Sequence, residues 1–361
     1  LVIKLISKSR YIKEGIRQVM KEFKTIGIIL ISVMALYSIG IIRQNNRKQK
    51  KKGKTEIVNV SYDPTRELYE KYNRIFVGYY REKYGKEIEI IQSHGGSGAQ
   101  ARSIIEGMDA DVVTLALEQD IFFLEKVGLL EENWIKRFEG ESAPYTSTIV
   151  FLVRKGNKKK IRDWDDLIRE GVEIITPDPK SSGGACWNFL SAWSYGTERY
   201  SGDEKKIEQF VKKVYNNVLV MDSGARGATT TFVENGQGDV LIAWENEALI
   251  TLEEYPEKYE IIYPSVSILA QPSVAVVDKI ARRNGTFEIS SEYIKYLYSE
   301  KAQEIIAESG YRPYNKEVLK RYEGKFNLGM KLTDINYFGG WKKAYEKFFS
   351  EGALFDRIYT N

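Results

Sequence analysis

The stretch IITPDPKSSGGA, residues 174–185, consists of a short apolar run and a Ser/Gly-rich loop, and a helical pattern follows it directly. The two isoleucines that open it are β-branched, as strand residues tend to be, and Trp187, Leu190 and Trp193 recur at helical spacing. The first N–H groups of a helix have no partner within the helix, and glycine lets a ligand approach the backbone closely. This stretch therefore predicts a strand–loop–helix joint whose helix start can bind an anion.

Three more stretches have the same order of strand, Ser/Gly loop and helix: VNVSYDPTREL (58–68), EIEIIQSHGGSGAQA (87–101) and VLVMDSGARGATT (218–230). One such joint is ordinary in any α/β protein. Four of them, rich in Ser and Gly and poor in Lys, favour a single anion held between converging loops. The alternation of strands and helices along the chain, with continuous apolar runs such as residues 112–117, predicts an α/β fold with a mostly parallel sheet.

The charge of the chain is distributed unevenly. The first 54 of its 361 residues contain 14 Lys/Arg and 2 Asp/Glu, which leaves 40 Lys/Arg and 48 Asp/Glu in the remainder. That remainder has a net charge of −8, although the whole chain has +4. A mildly acidic folded part argues against a nucleic-acid surface, and an anion would have to be bound by local hydrogen-bond donors.

The N-terminal segment 1–54 contains a 17-residue apolar run, IGIILISVMALYSIGII (26–42), with basic residues on both sides. This length is near the lower limit for a membrane-spanning helix, and the flanking charge also suits an export signal. We expect residues 1–54 to be a signal or membrane-anchor segment followed by a basic tether. A membrane sensor is a further possibility, but residues 1–24 are too short for a cytoplasmic signalling domain.

The chain has a single cysteine, Cys186, and a single histidine, His94. One cysteine excludes an internal disulfide, and the pair excludes a metal site built from several Cys or His ligands. No metal or other cofactor is expected. Ser97 close to His94 leaves open a hydrolase in which the serine is the nucleophile and the histidine is the base, although no orienting carboxylate stands near them in the sequence.

Seven strings resemble, in order and across residues 56–357, the periplasmic sulfate-binding proteins of ABC transporters, of which the thiosulfate-binding proteins are close relatives. They are SYDPTREL, QSHGGSGAQA, SAPYTSTIVFLVRKGN, ITPDPKSSGGA, DSGARGATTTFVE, GDVLIAWENEA and FGGW. The resemblance implies an exported, periplasmic protein that captures sulfate, or alternatively prefers thiosulfate, and delivers it to an ABC permease.

The resemblance also implies a type II periplasmic-binding-protein fold, with the ligand cleft between two α/β lobes. Lobe one is expected to comprise residues 55–137 and 246–310. Lobe two is expected to comprise residues 138–245 and 311–361. The hinge is expected at residues 142–148 and 244–247.

The ligand contacts that the resemblance implies are all hydrogen-bond donors, which suits a sulfate dianion with acceptors only. They are the backbone N–H groups of Asp63, Ser182, Gly183, Gly184 and Ala225, the hydroxyl of Ser97 and the indole N–H of Trp244. Arg226 and Cys186 are expected just behind them, and many relatives have Arg where this chain has Cys186. Because Pro64 follows Asp63, we expect the Asp63 carboxylate to cap a helix.

Overall fold

The computed structural model describes residues 55–359. The 1–54 segment, with its predicted signal or anchor at 26–42, lies outside the described residues. None of the helices formed by residues 55–359 has the length and apolar character needed to cross a bilayer.

The strands of the described residues form two larger sheets and two small ones. The four-stranded sheet has the order β11-β3-β1-β2, the five-stranded sheet has the order β7-β6-β8-β5-β9, and β10-β13 and β12-β4 are two-stranded. The strands are β1 (Thr55–Tyr62), β2 (Ile88–Gly95), β3 (Val112–Leu115), β4 (Tyr145–Thr146), β5 (Ile149–Arg154), β6 (Ile174–Pro177), β7 (Val218–Asp222), β8 (Val240–Trp244), β9 (Tyr259–Ile262), β10 (Val266–Ile268), β11 (Ser273–Val276), β12 (Arg312–Pro313) and β13 (Lys331–Thr333).

Helices follow most of these strands, and the α/β prediction is confirmed. They are α1 (Arg66–Tyr84), α2 (Ser97–Ile105), α3 (Glu118–Lys126), α4 (Glu139–Ser142), α5 (Trp164–Leu167), α6 (Gly183–Arg199), α7 (Glu204–Asn216), α8 (Ala225–Val233), α9 (Glu245–Glu254), α10 (Asp278–Asn284), α11 (Phe287–Tyr296), α12 (Glu300–Glu308), α13 (Lys316–Arg321), α14 (Trp341–Phe348) and α15 (Leu354–Tyr359). Short 3-10 helices occur at Asp63–Thr65, Trp134–Lys136 and Ile335–Phe338.

The mostly parallel sheet that the sequence predicts is only half right. The pairs β1–β3, β6–β7 and β6–β8 are parallel, as strand–helix–strand units require. The pairs β11–β3, β5–β8 and β5–β9 are antiparallel. The strands directly before β5 and β11 are β4 and β10 of the two small sheets, so neither strand is reached through a helical crossover within its own sheet and nothing forces it to be parallel.

Helix α6 fixes the geometry of the strand–loop–helix joint at residues 174–185. Its residues 183–196 are all buried. The indole N–H of Trp187 donates to the carbonyl of Ala116 at 2.8 Å, just beyond β3, and the Trp187 ring packs edge-on against Trp341 with ring centroids 4.6 Å apart. These contacts hold the start of α6 against the end of a strand from the other large sheet.

Two of the connecting stretches are bonded to each other where the sequence predicts a hinge. The N–H of Glu245 donates to the carbonyl of Thr148 at 2.9 Å, and Ser147 bridges Ala270. Arg312 of β12 binds the fully buried Glu245 carboxylate through two hydrogen bonds of 2.7 and 2.9 Å.

The division into lobes stays a prediction. Strand β9 lies within the 246–310 segment that was expected in lobe one, but it pairs with β5 of the five-stranded sheet. Strand β8 pairs with only one edge of β5, and the backbone groups on the other edge need a further strand. Strand β9 pairs there.

Candidate functional site

A small cavity lies where the four predicted strand–loop–helix joints meet. It has a volume of ≈ 10 Å³ and is lined by residues 62–64, 96–97, Ser182, Gly184 and Ala225. Strands β1 and β2 lead to it from the four-stranded sheet, and β6 and β7 lead to it from the five-stranded sheet. Sites for drug-sized ligands usually exceed about 300 Å³, so this far smaller cavity leaves room for a small ion at most.

Backbone N–H groups at helix starts on both sides belong to residues that line the cavity or, for Gly183, to a residue between two lining residues. Asp63 is the first residue of a 3-10 helix, and Ser97, Gly183 and Ala225 are the first residues of α2, α6 and α8. The backbone hydrogen bonds that residues 55–359 form outside regular elements use none of these N–H groups, nor that of Gly184. Such free donors at helix starts, with the helix dipoles behind them, favour an anion.

Ser182 has a different free donor from the one that the resemblance implies. Its N–H already donates to the carbonyl of Asp178 at 2.8 Å. Its hydroxyl lies beside Gly184, since a Cβ on that glycine would be 3.4 Å from Ser182 Oγ. The hydroxyl is therefore the donor that Ser182 can offer.

In Ser97, unlike Ser182, the hydroxyl is engaged and the backbone N–H is free. Its hydroxyl donates to Asp120 Oδ2 at 2.5 Å and accepts the Ala116 N–H at 3.0 Å, so the protein itself occupies the group that we expected to face the ligand. The backbone N–H is the donor that remains. Ser97 is the first helical residue, one position after the capping residue whose side chain would bond to the free N–H groups of the helix. Its hydroxyl therefore bonds to the adjacent segment 116–120 of the same chain.

Asp120, in the first turn of α3, is a residue that the sequence analysis missed. Burial raises the pKa of its carboxyl to about 6, against the opposing effects of the Ser97 hydrogen bond and of Arg102. The only signal in the sequence was an acidic residue shortly after the buried 112–117 run. Its partner Ser97 is 23 residues away along the chain, a distance at which no local spacing rule applies.

Trp244 ends β8 beside the cavity, with 1% of its surface exposed. Its indole N–H donates to the carbonyl of Gly184 at 3.1 Å, and its rings lie 5.5 Å from the ring of Tyr62. A Cβ on Gly184 would lie 3.0 Å from Trp244 Nε1. The indole is thus near the free N–H groups at the start of α6, but its hydrogen already has an acceptor, which a ligand would have to share or replace.

The helix-cap prediction for Asp63 is wrong. Asp63 is itself the first residue of the 3-10 helix, and no side chain caps that helix. A carboxylate in this position cannot bond to the N–H groups of its own first turn. It lies against Gly224, where a Cβ would be only 2.6 Å from Asp63 Oδ2, and burial raises its pKa although Arg66 and Arg226 oppose the shift.

The two residues expected behind the donors, Arg226 and Cys186, have partners of their own. Arg226 binds both carboxylate oxygens of Glu67, at 2.9 and 2.8 Å, and one oxygen of Glu247 at 2.9 Å. The Cys186 thiol is buried and donates to the carbonyl of Pro179 at 3.4 Å, and burial raises its pKa, so it stays protonated. Arg226 therefore brings little uncompensated positive charge to the cavity.

The structure does not form the Ser97–His94 pair that a hydrolase would need. His94 Nδ1 lies 2.8 Å from the hydroxyl oxygen of Ser61, which also accepts hydrogen bonds from Thr65 and Gln92 and has the Ser93 carbonyl at 3.5 Å. Burial lowers the His94 pKa to about 4, with Arg66 adding to the shift. A neutral histidine bonded to Ser61 is a structural group, and the Ser97 hydroxyl is bonded to Asp120 and Ala116 instead.

Comparison with known proteins gives a consistent result. The family model described as "Bacterial extracellular solute-binding protein" matches residues 65–312. The sulfate-binding protein of Escherichia coli K12 is 55% identical over 304 residues, which cover 84% of this chain and 92% of that protein. The thiosulfate-binding protein of Pseudomonas aeruginosa is 42% identical over 306 residues, with the same coverage of 84% and 92%.

The solved structure of the sulfate-binding protein SubI from Mycobacterium tuberculosis H37Rv superimposes with a TM-score of 0.73 at 31% identity, covering 82% of this chain and 100% of that one. Sequence, family model and structure thus agree on one assignment. The chain belongs to the family of bacterial extracellular solute-binding proteins, on the branch that contains the sulfate- and thiosulfate-binding proteins.

Proposed function

We propose that this protein captures sulfate in the cavity between its two large sheets and delivers it to an ABC permease. The observation that carries the proposal is the convergence of free helix-start N–H groups from both sheets on one small cavity. The 55% identity to a sulfate-binding protein supports the same ligand.

The proposed donors differ in two groups from those expected at first. They are the backbone N–H groups of Asp63, Ser97, Gly183, Gly184 and Ala225, the hydroxyl of Ser182 and the indole N–H of Trp244. Each is neutral, and sulfate offers acceptors only. Hydrogen bonds to an ion are stronger in a closed site of low dielectric constant than in water, so such donors can hold a dianion without a cationic partner.

The direct test is titration calorimetry with sodium sulfate on the purified, dialysed protein, with sodium chloride at equal ionic strength as the control. We expect one site per chain and a rise in Tm with sulfate, because a ligand that binds only the folded state stabilises it. A protein that gives neither heat of binding nor a Tm shift at millimolar sulfate would contradict the proposal.

Thiosulfate is the second candidate, because a 42% identical relative is a thiosulfate-binding protein. Thiosulfate replaces one oxygen of sulfate with sulfur, which is a weaker hydrogen-bond acceptor. A cavity surrounded by N–H and O–H donors should therefore prefer sulfate. Competition between the two anions in one calorimetric titration decides between them, and tighter thiosulfate binding would reverse the assignment.

We also propose that the protein works outside the cytoplasm, with residues 1–54 as a signal or membrane anchor and with two lobes that hinge near residues 142–148 and 244–247. The basic and apolar composition of residues 1–54 and the exported character of the family support this location. Cell fractionation with and without the 26–42 run tests it. Retention of the full chain in the cytoplasm would refute it.

A further inference from the structure

An ion pair joins the two large sheets directly beside the cavity. Glu67 lies in α1, which follows β1 of the four-stranded sheet, four residues after the proposed donor Asp63. Arg226 lies in α8, which follows β7 of the five-stranded sheet, next to the proposed donor Ala225. The guanidinium and the carboxylate form two hydrogen bonds of 2.9 and 2.8 Å.

The second partner of Arg226 lies in a helix that follows a strand of the five-stranded sheet, on the same side as Arg226 itself. Glu247, in α9 after β8, accepts from Arg226 at 2.9 Å and from the Thr229 hydroxyl at 2.9 Å, and its side chain is 3% exposed. Glu67 is therefore the partner that connects Arg226 to the other sheet. The side chains of Glu67 and Arg226 are 32% and 31% exposed, so water and salt can reach this pair.

We infer that Glu67 and Arg226 form a latch that keeps the cavity closed over its anion, with Glu67 as a positioning residue that does not touch the ligand. The inference rests on the proposed function. Apart from Asp63, the donor residues are buried; Ser97, Ser182 and Ala225 are 2%, 3% and 8% exposed. An anion can leave only when the starts of α1 and α8 separate, and that motion must break both Glu67–Arg226 hydrogen bonds.

A purely electrostatic role would have the opposite sign. If Glu67 acted on the ligand only through its negative charge, its removal would leave Arg226 less compensated and the anion better bound. If Glu67 acts as a latch, its removal speeds opening and weakens binding. The direction of the change therefore separates the two roles.

The test compares Glu67→Gln with Glu70→Gln in the full chain. Glu70 lies on the same helix, is 67% exposed and pairs with Arg74 of that helix, so it controls for the loss of one negative charge. Substitution of Arg226 is avoided because it would leave Glu247 buried without its cation. Stopped-flow tryptophan fluorescence gives the rate constants for sulfate association and dissociation.

We expect Glu67→Gln to dissociate sulfate about fivefold faster or more, with little change in association rate, as befits a half-exposed bidentate pair. Added sodium chloride should speed dissociation from the wild type more than from Glu67→Gln, because salt screens the pair. Glu70→Gln should behave as the wild type. Unchanged dissociation or tighter binding in Glu67→Gln would overturn the latch.

The latch is separable from the proposed function. If the wild type binds neither sulfate nor thiosulfate, the proposed function fails, and the latch is then judged from small-angle scattering without ligand. A larger radius of gyration in Glu67→Gln than in Glu70→Gln supports a pair that holds the two sheets together. Equal radii under those conditions overturn it.

Discussion

Trp244 lies next to the lining residue Gly184, and its single indole donor is hydrogen-bonded to the Gly184 carbonyl, which a bound anion would have to share or replace. Trp244→Phe removes that donor and leaves one ligand oxygen without a partner. Since a hydrogen bond to a charged group contributes about 1.5–3 kcal/mol, we expect sulfate affinity to fall roughly 10- to 150-fold.

Calorimetry on Trp244→Phe checks this, with Trp193→Phe as the control. Trp193 is also buried in α6, but it packs against Phe189 and Phe348, away from the cavity lining. Wild-type affinity in a folded Trp244→Phe protein would show that the indole only supports Gly184.

At the scale of single residues, the sequence identifies the positions better than the atoms. The motifs place Ser97, Ser182 and Asp63 at the cavity, where the structure also has them. They predict that the Ser97 hydroxyl and the Ser182 N–H are free for a ligand and that the Asp63 carboxylate caps a helix. In the structure the first two groups are bonded within the protein, and Asp63 caps no helix. Which group of a residue stays free depends on neighbours such as Asp120 and Asp178, and a motif does not specify the distances to them.

At the scale of elements, the start of α6 is the most crowded part of the site. A Cβ on Gly184 would lie 3.0 Å from Trp244 Nε1 and 3.4 Å from Ser182 Oγ, which are two of the proposed donors. Gly184→Ala should lower sulfate affinity at least about tenfold by displacing them. The helix itself should tolerate alanine, which it favours over glycine by about 0.5–1 kcal/mol.

Calorimetry and thermal unfolding on Gly184→Ala test this. Gly78→Ala is the matched control, because Gly78 lies inside α1 with no atom within 4 Å of an added Cβ. That control should raise Tm slightly and leave affinity unchanged. If Gly184→Ala binds sulfate as the wild type does, the anion does not sit at the start of α6.

The α2–α3 contact should make stability depend on pH through Asp120. Its folded-state pKa of about 6 lies above the ordinary value of 3.8, so the folded protein holds this proton more tightly than the unfolded chain. The stabilisation from this group is full below about pH 4 and is lost as the pH rises through about 6. A difference of about two pKa units corresponds to about 2–3 kcal/mol.

Asp120→Asn keeps an oxygen that accepts from Ser97 but cannot ionise. Its stability relative to the wild type should therefore increase by about 2 kcal/mol between pH 4 and pH 7. Denaturant unfolding at both pH values measures the difference between the two proteins, in which the other titrating groups cancel. A constant difference would mean that the Asp120 carboxyl titrates normally.

At the scale of the whole molecule, the proposed donors come from the ends of strands of both sheets and all but Asp63 are buried, so entry of a ligand requires opening. Sulfate should then favour the closed state by bridging the two sides. Small-angle scattering should show a smaller radius of gyration with saturating sulfate than without it. Identical profiles with and without ligand would count against a hinged cleft.

The global arrangement was predictable to the extent that it follows local rules. Four joints, each readable within about 15 residues, predict the α/β class and the convergence of helix starts. The antiparallel β5 and β11 were not predictable from alternation, because neither is reached through a helical crossover within its own sheet. Glu67 and Arg226 are 159 residues apart, and two charged residues on helix surfaces give no sign that they meet.

A site made mostly of main-chain N–H groups has a consequence for mutational mapping. Alanine scanning would not detect these donors, because a change of side chain leaves the backbone N–H in place, and residue 225 is already alanine. Proline deletes that N–H, and the first position of a helix is where proline is tolerated. Gly224, the residue before Ala225, has φ −156° and ψ 161°, which a following proline allows.

Ala225→Pro should therefore fold normally and lose sulfate affinity at least about tenfold, whereas Ala225→Ser should bind as the wild type does. Glu204→Pro, at the equivalent position of α7 and away from the cavity, should leave binding intact. Calorimetry on the three variants checks this. Full affinity in Ala225→Pro would remove its N–H from the site, and a proline scan of helix starts would map the remaining donors one at a time.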